Sequence, residues 1–134
     1  MAKINWLDTF ETGILFIDDD HKRLIDIIQN LEQAYEAADI HGCRSFVGEF
    51  LVAAKAHFLR EEQFLQVISY QTLDLHAREH SKLVEHVVEL LSRLQPDQDT
   101  GQEPVLDENL INDALYFLLE DIISADAEFK SLGR

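Results

Sequence analysis

The stretch Leu75-His76-Ala77-Arg78-Glu79-His80 sets two histidines four positions apart, which on a helix stacks both imidazoles on one side. Neutral imidazole is a ligand for iron, manganese or zinc. Donors of similar kind recur along the chain: His21 in IDDDH, His57 and Glu61 in HFLREE, and Asp126 closing DIISAD. A lone histidine on an apolar stripe is commonly a core residue bonded to a neighbour, and His57 with Glu61 can bond each other. Four histidines and two carboxylates are harder to accommodate that way. Each buried carboxylate costs several kcal/mol unless compensated, and a metal centre removes most of that penalty. The set contains no cysteine, which argues against an iron–sulfur cluster or a structural thiolate site.

The elements that must position these donors are helices. Ile17, His21, Leu24, Ile28, Leu31 and Tyr35 recur at spacings of three and four, predicting a first helix over 18–38 with the acids at 18–20 suiting its N-terminal dipole. The second stripe is Phe50, Ala54, His57, Glu61, Phe64 and Ile68; the third is Leu73, His76, His80, Leu83, Val87, Leu91 and Leu94. A fourth carries Ile111, Leu115, Leu118, Ile122, Asp126 and Phe129. Glycine and proline act as punctuation at Gly13, Gly42, Pro96, Gly101 and Pro104. No alternation of period two persists, so the reading is all-α: an antiparallel up-down-up-down four-helix bundle, with the region before Gly13, including Trp6 and Phe10, as an extended arm. Counted at about 1.5 Å of rise per residue from the end where the first and third helices start, the six donors fall roughly 5 to 15 Å in, one layer of the core. Four helices converging on carboxylates point to two metals.

Composition narrows the function classes. The chain has 134 residues, 46% of them hydrophobic, enough for one domain over 1–134 and no second. Eleven basic against 26 acidic residues leave a formal net charge of -15, which repels nucleic acid and anionic membrane surfaces. The single cysteine, Cys43, cannot form an internal disulfide, MAKINWLDTF lacks a secretory apolar run, and no stretch approaches the roughly 20 apolar residues of a membrane span. The expectation is a cytoplasmic monomer.

Neither the paired Glu-x-x-His of ferritin-like di-iron proteins nor the His-Glu-x-x-His of zinc proteases occurs. The ordered set IDDDH, HFLREE, LHAREH and DIISAD instead resembles the hemerythrin family, in particular its single-domain bacterial members. TGILFID, Tyr70 and the helix lengths agree, so the resemblance spans nearly the whole chain. It implies two iron ions joined by an oxo or hydroxo bridge, with Glu61 and Asp126 bridging them. His76 and His80 would serve the iron closed to ligand, and His21 and His57 the iron whose open position takes dioxygen. The implied function is non-enzymatic dioxygen binding for storage, delivery or sensing. The alternatives are a di-iron redox enzyme of peroxidase or oxidase type, or an oxygen or redox sensor resting in the diferric state.

The sequence departs from the family pattern at one place. Hemerythrins carry a further histidine five residues before the last aspartate, where this chain has Asp121 in FLLEDIISAD. Asp121 is turned by about 140° of helix from Asp126, and its oxygen lies one bond nearer the backbone than a distal imidazole nitrogen, so direct ligation is strained. Asp121 is therefore either a seventh ligand or a solvated residue. Ile17, Leu24, Phe58, Leu118 and Ile122 stand beside the ligands and could form a dry pocket over the open iron, besides packing the core. His41, placed with Gly42 in the turn between the first two helices, and His86 are expected at the surface, and Cys43 is given no role.

Overall fold

The computed structural model describes residues 12–67 and 73–106 and positions 108, 109, 112, 113, 116 and 120, the side chains of Leu73 and His76 excepted. Three long helices, α1 (Leu15–Glu36), α2 (Ile40–Val67) and α3 (Leu73–Arg93), make up most of it, and no strand occurs among the described residues. The all-helical architecture read from the periodicity is what the chain adopts. Positions 108, 109, 112, 113, 116 and 120 are also helical. The apolar stripe of the expected fourth helix, Asp121 and Asp126, and the arm with Trp6 and Phe10 lie outside the described residues.

Chain direction follows from contacts. Asp20, near the start of α1, meets His57 and Arg60 towards the end of α2, and His80, early in α3, meets Glu61 and Glu62 at that same end. At the opposite end Arg44 of α2 donates Nε to the carbonyl of Leu94 at 3.1 Å, just past α3. Successive helices are thus antiparallel, with α2 packed against both neighbours.

Helix α1 starts three residues before the predicted position, and Asp18 explains why. Its carboxylate reaches back to accept from the Thr12 N–H at 2.8 Å, the Thr12 hydroxyl at 2.9 Å and the Gly13 N–H at 3.2 Å. Asp18 therefore anchors the preceding turn, with Gly13 at φ 84°, from inside the helix.

The first break differs from the prediction as well. The turn comprises Ala37–Asp39, with Ala38 at φ 53°, and Gly42 belongs to the first turn of α2 together with the exposed His41. Asp39 caps α2 by accepting the Gly42 N–H at 2.9 Å. A Cβ at position 42 would lie 2.4 Å from Asp39 Oδ2 and 3.1 Å from Ala34 Cβ. Close approach of the turn, not helix termination, calls for glycine there.

Two apolar clusters form the core among the described residues. The larger joins Leu24, Ile28, Leu31, Cys43, Val47, Phe50, Phe58, Val87, Leu90 and their neighbours; the smaller joins Ile17 and Leu65, with Phe16 and Phe64 packed on it. Between Ile17 and Leu24 on α1, and between Phe58 and Leu65 on α2, lie buried His21 and Glu61. A polar layer thus cuts across the hydrophobic core.

Candidate metal centre

Three helices bring donors into that layer. His21 comes from α1, His57 and Glu61 from successive turns of α2, and His80 from α3, with relative exposures of 0%, 0%, 1% and 4%. One donor atom from each of His21, His57 and Glu61 lies within 4.8 Å of the other two. The rings of His21 and His57 meet edge to face, centroids 4.8 Å apart. Glu61 turns its two oxygens in different directions: Oε2 contacts His57 Nε2 and lies 3.9 Å from His21 Nε2, whereas Oε1 lies 3.5 Å from His80 Nε2. Of the residues predicted to form the site, these four converge. The side chain of His76, although its backbone lies in α3, and the whole of Asp126 and Asp121 fall outside the described residues.

The outer faces of two imidazoles are held by carboxylates. His57 Nδ1 pairs with Asp20 Oδ2 at 2.9 Å, and His80 Nδ1 with Glu62 Oε2 at 3.0 Å. An ionised carboxylate only accepts, so Nδ1 carries a proton in each ring and donates it outward, while Nε2 of each faces Glu61. That arrangement makes a metal-ligating histidine more basic and fixes its tautomer. Arg60, one turn beyond His57, donates Nε to Asp20 Oδ2 at 2.9 Å and Nη2 to Oδ1 at 2.7 Å. Burial acts to raise the Asp20 pKa, but the hydrogen bonds and positive charges of Arg60 and His57 outweigh it and hold the carboxyl below its ordinary value.

Phe58 stacks on His80 with ring centroids 4.1 Å apart and planes 7° from parallel, and it lies 5.5 Å from the ring of His57. Phe58 thus covers the ring of His80, and buried Ile17 and Leu24 lie one turn of α1 to either side of His21. Leu118 and Ile122 lie outside the described residues.

Asp20, Arg60 and Glu62 are absent from the sequence prediction. The run of acids at 18–20 reads as helix-dipole charge, yet its members separate in the fold: Asp18 anchors a turn and Asp20 supports a histidine. A usable signal existed in the three-residue spacing of His57 and Arg60, which places both on one side of α2, facing the start of α1.

Imidazole lone pairs and a carboxylate, buried and converging, are the donor set that a cation such as iron takes, and the residues present fit one. Fold and site together define a cation-binding helical bundle. The family model described as "Hemerythrin HHE cation binding domain" matches residues 12–124, and the chain belongs to the hemerythrin family. It is similar to the bacteriohemerythrin of Pseudomonas aeruginosa (strain LESB58), 30% identical over 103 residues that cover 77% of this chain and 67% of that one. Similarity to the bacteriohemerythrin of Clostridium acetobutylicum extends over 129 residues at 27% identity, covering 92% and 96% of the two chains. The myohemerythrin of Theromyzon tessulatum is 28% identical over 125 residues, 93% of this chain and 89% of the relative. The resemblance read from the four motifs is borne out.

Proposed function

We propose that this chain, acting as a single domain over 1–134 and a cytoplasmic monomer, holds two iron ions in the polar layer and binds dioxygen there. The observation that carries this reading is the divided carboxylate of Glu61, with one oxygen towards His21 and His57 and the other towards His80. One ion would be held by His21 and His57 and the other by His80 and His76, with Glu61 and Asp126 shared between them. When bound, the iron pair supplies the electrons that dioxygen binding requires. The protein presents Nε2 lone pairs, sets carboxylate charge against the cations, and keeps water out with Phe58 and the flanking apolar clusters. None of these tasks requires turnover of a further substrate, so the role is storage, delivery or sensing.

Anaerobic loading with ferrous salt, metal analysis, and visible spectra before and after air exposure test the proposal. Two irons per chain and a visible spectrum that appears in air and reverses when oxygen is removed are expected. Absence of stoichiometric iron overturns the metal reading, and irreversible oxidation overturns reversible binding. Steady peroxide consumption that His57→Ala abolishes would make the protein an enzyme instead.

Asp121 adds a charge argument to this reading. An additional anionic ligand favours ferric over ferrous iron, so a carboxylate bound at the closed iron lowers the reduction potential. Asp121→His should then raise the potential of the iron-loaded protein in a redox titration. An unchanged potential assigns Asp121 to solvent.

A further inference from the structure

The carboxylate behind His57 is itself clamped. Asp20 and Arg60 form a bidentate pair in which both carboxylate oxygens are engaged, and Oδ2 is shared between Arg60 Nε and His57 Nδ1. Arg60 and His57 lie one turn apart on α2 while Asp20 projects from α1, so the carboxylate bridges two helices. Exposure grades outward along this chain: His57 0%, Asp20 16%, Arg60 47%. On the other side of Glu61, the carboxylate paired with His80 is Glu62, which is 32% exposed. A fork-shaped guanidinium fixes the plane of a carboxylate in a way that one hydrogen bond does not. With that plane fixed, turning the His57 ring over forfeits a charge-assisted hydrogen bond, and Nε2 stays directed at Glu61.

We infer that Asp20, clamped by Arg60, is a positioning residue that locks His57 in the Nδ1-protonated tautomer with Nε2 towards the metal layer, pre-forming one half of the centre before any ion arrives. This rests on the two-metal reading above. The Asp20–Arg60 pair also ties the start of α1 to α2 beside that half, so loss of the pair loosens one ion's ligands and leaves those of the other in place. Removal of such outer partners typically weakens metal binding about 10- to 100-fold.

Zinc is a suitable diamagnetic probe for the test. Full-length wild type, Asp20→Ala, Asp20→Asn and Arg60→Gln are titrated with zinc against a chromophoric chelator. Long-range proton–nitrogen NMR of the imidazoles, with and without zinc, reports the His57 tautomer. Wild type should show a slowly exchanging His57 Nδ1–H even without metal. Asp20→Ala should lose that signal and weaken one of two zinc ions about 10- to 100-fold, with the second within about threefold of wild type. Asp20→Asn, which keeps an acceptor, should restore part of the affinity, and Arg60→Gln should speed exchange of the Nδ1–H. Unchanged zinc affinities and an unchanged His57 tautomer in Asp20→Ala overturn the inference. Should Asp20→Ala fail to fold by circular dichroism, Arg60→Gln decides, and exchange as slow as in wild type overturns it. Failure of wild type to take up zinc or iron would defeat the two-metal reading, while the metal-free NMR signal still judges the tautomer lock.

Discussion

At the scale of single residues, chemistry depends on which side-chain atoms face each other at the one buried carboxylate of α2. Glu61 is almost fully buried and touches histidines from three helices. Glu61→Gln keeps its shape and removes its charge, so iron bound per chain should fall from two to below one in metal analysis, whereas His86→Ala, at an exposed position of α3, should leave it at two. Cys43 makes a different prediction. Its thiol is fully buried, and that burial, reinforced by the charge of Asp39, pushes its pKa above the ordinary 9.0. Above pH 9 the unfolded chain releases this proton while the folded chain retains it, so stability falls as pH rises from the unfolded value towards the raised folded one. The urea midpoint of wild type, measured against Cys43→Ala, should hold steady from pH 6 to 8 and decline above about 9.

At the scale of elements, the helices are long enough to carry the site, and their ends are set by side chains near the turns. The α1–α2 turn puts Ala38 in the left-handed region at φ 53°, a conformation that costs an L-residue roughly 1–2 kcal/mol. Ala38→Gly relieves this cost against the greater freedom of glycine in the unfolded chain, and should stabilise the protein by about 0.5–1 kcal/mol in urea unfolding. Gly42→Ala should do the opposite, by about 1–3 kcal/mol, because the added methyl group meets the Asp39 carboxylate that caps α2. Beyond α3, Arg44 joins α2 to the following segment through Leu94 and Glu103. Within that segment Asp97 accepts from the Asp99 and Thr100 amides.

At the scale of the whole molecule, a polar layer between two apolar clusters makes stability depend on what fills it. Charged groups drawn from several helices are tolerable in such a layer when a cation neutralises them, and an ion that binds only the folded chain adds RT ln(1 + [L]/Kd). At a free-metal concentration a hundredfold above Kd, each ion adds about 2.7 kcal/mol. Chelation of the loaded protein should therefore lower its melting temperature markedly in calorimetry, and reloading with ferrous salt under anaerobic conditions should restore it. An equal melting temperature with and without metal would mean that the layer is satisfied by its own hydrogen bonds.

Much of this was legible along the chain because helical periodicity is a local property. Spacings of three and four predicted where α1, α2 and α3 run, and the histidines that interrupt those stripes marked His21, His57, Glu61 and His80 as one layer. What could not be read was how neighbours in sequence divide their work. Asp18, Asp19 and Asp20 are chemically identical and adjacent, yet helix geometry rotates each by about 100° from the last. Asp18 thereby turns back to Thr12, and Asp20 turns across to His57 and Arg60. Likewise Gly42 reads as a helix break until the Asp39 carboxylate is seen pressed against it. Residue type and spacing determined which donors this protein owns; only the packing of α1 against α2 decided which carboxylate aims which imidazole, because that choice depends on distances between residues 37 positions apart.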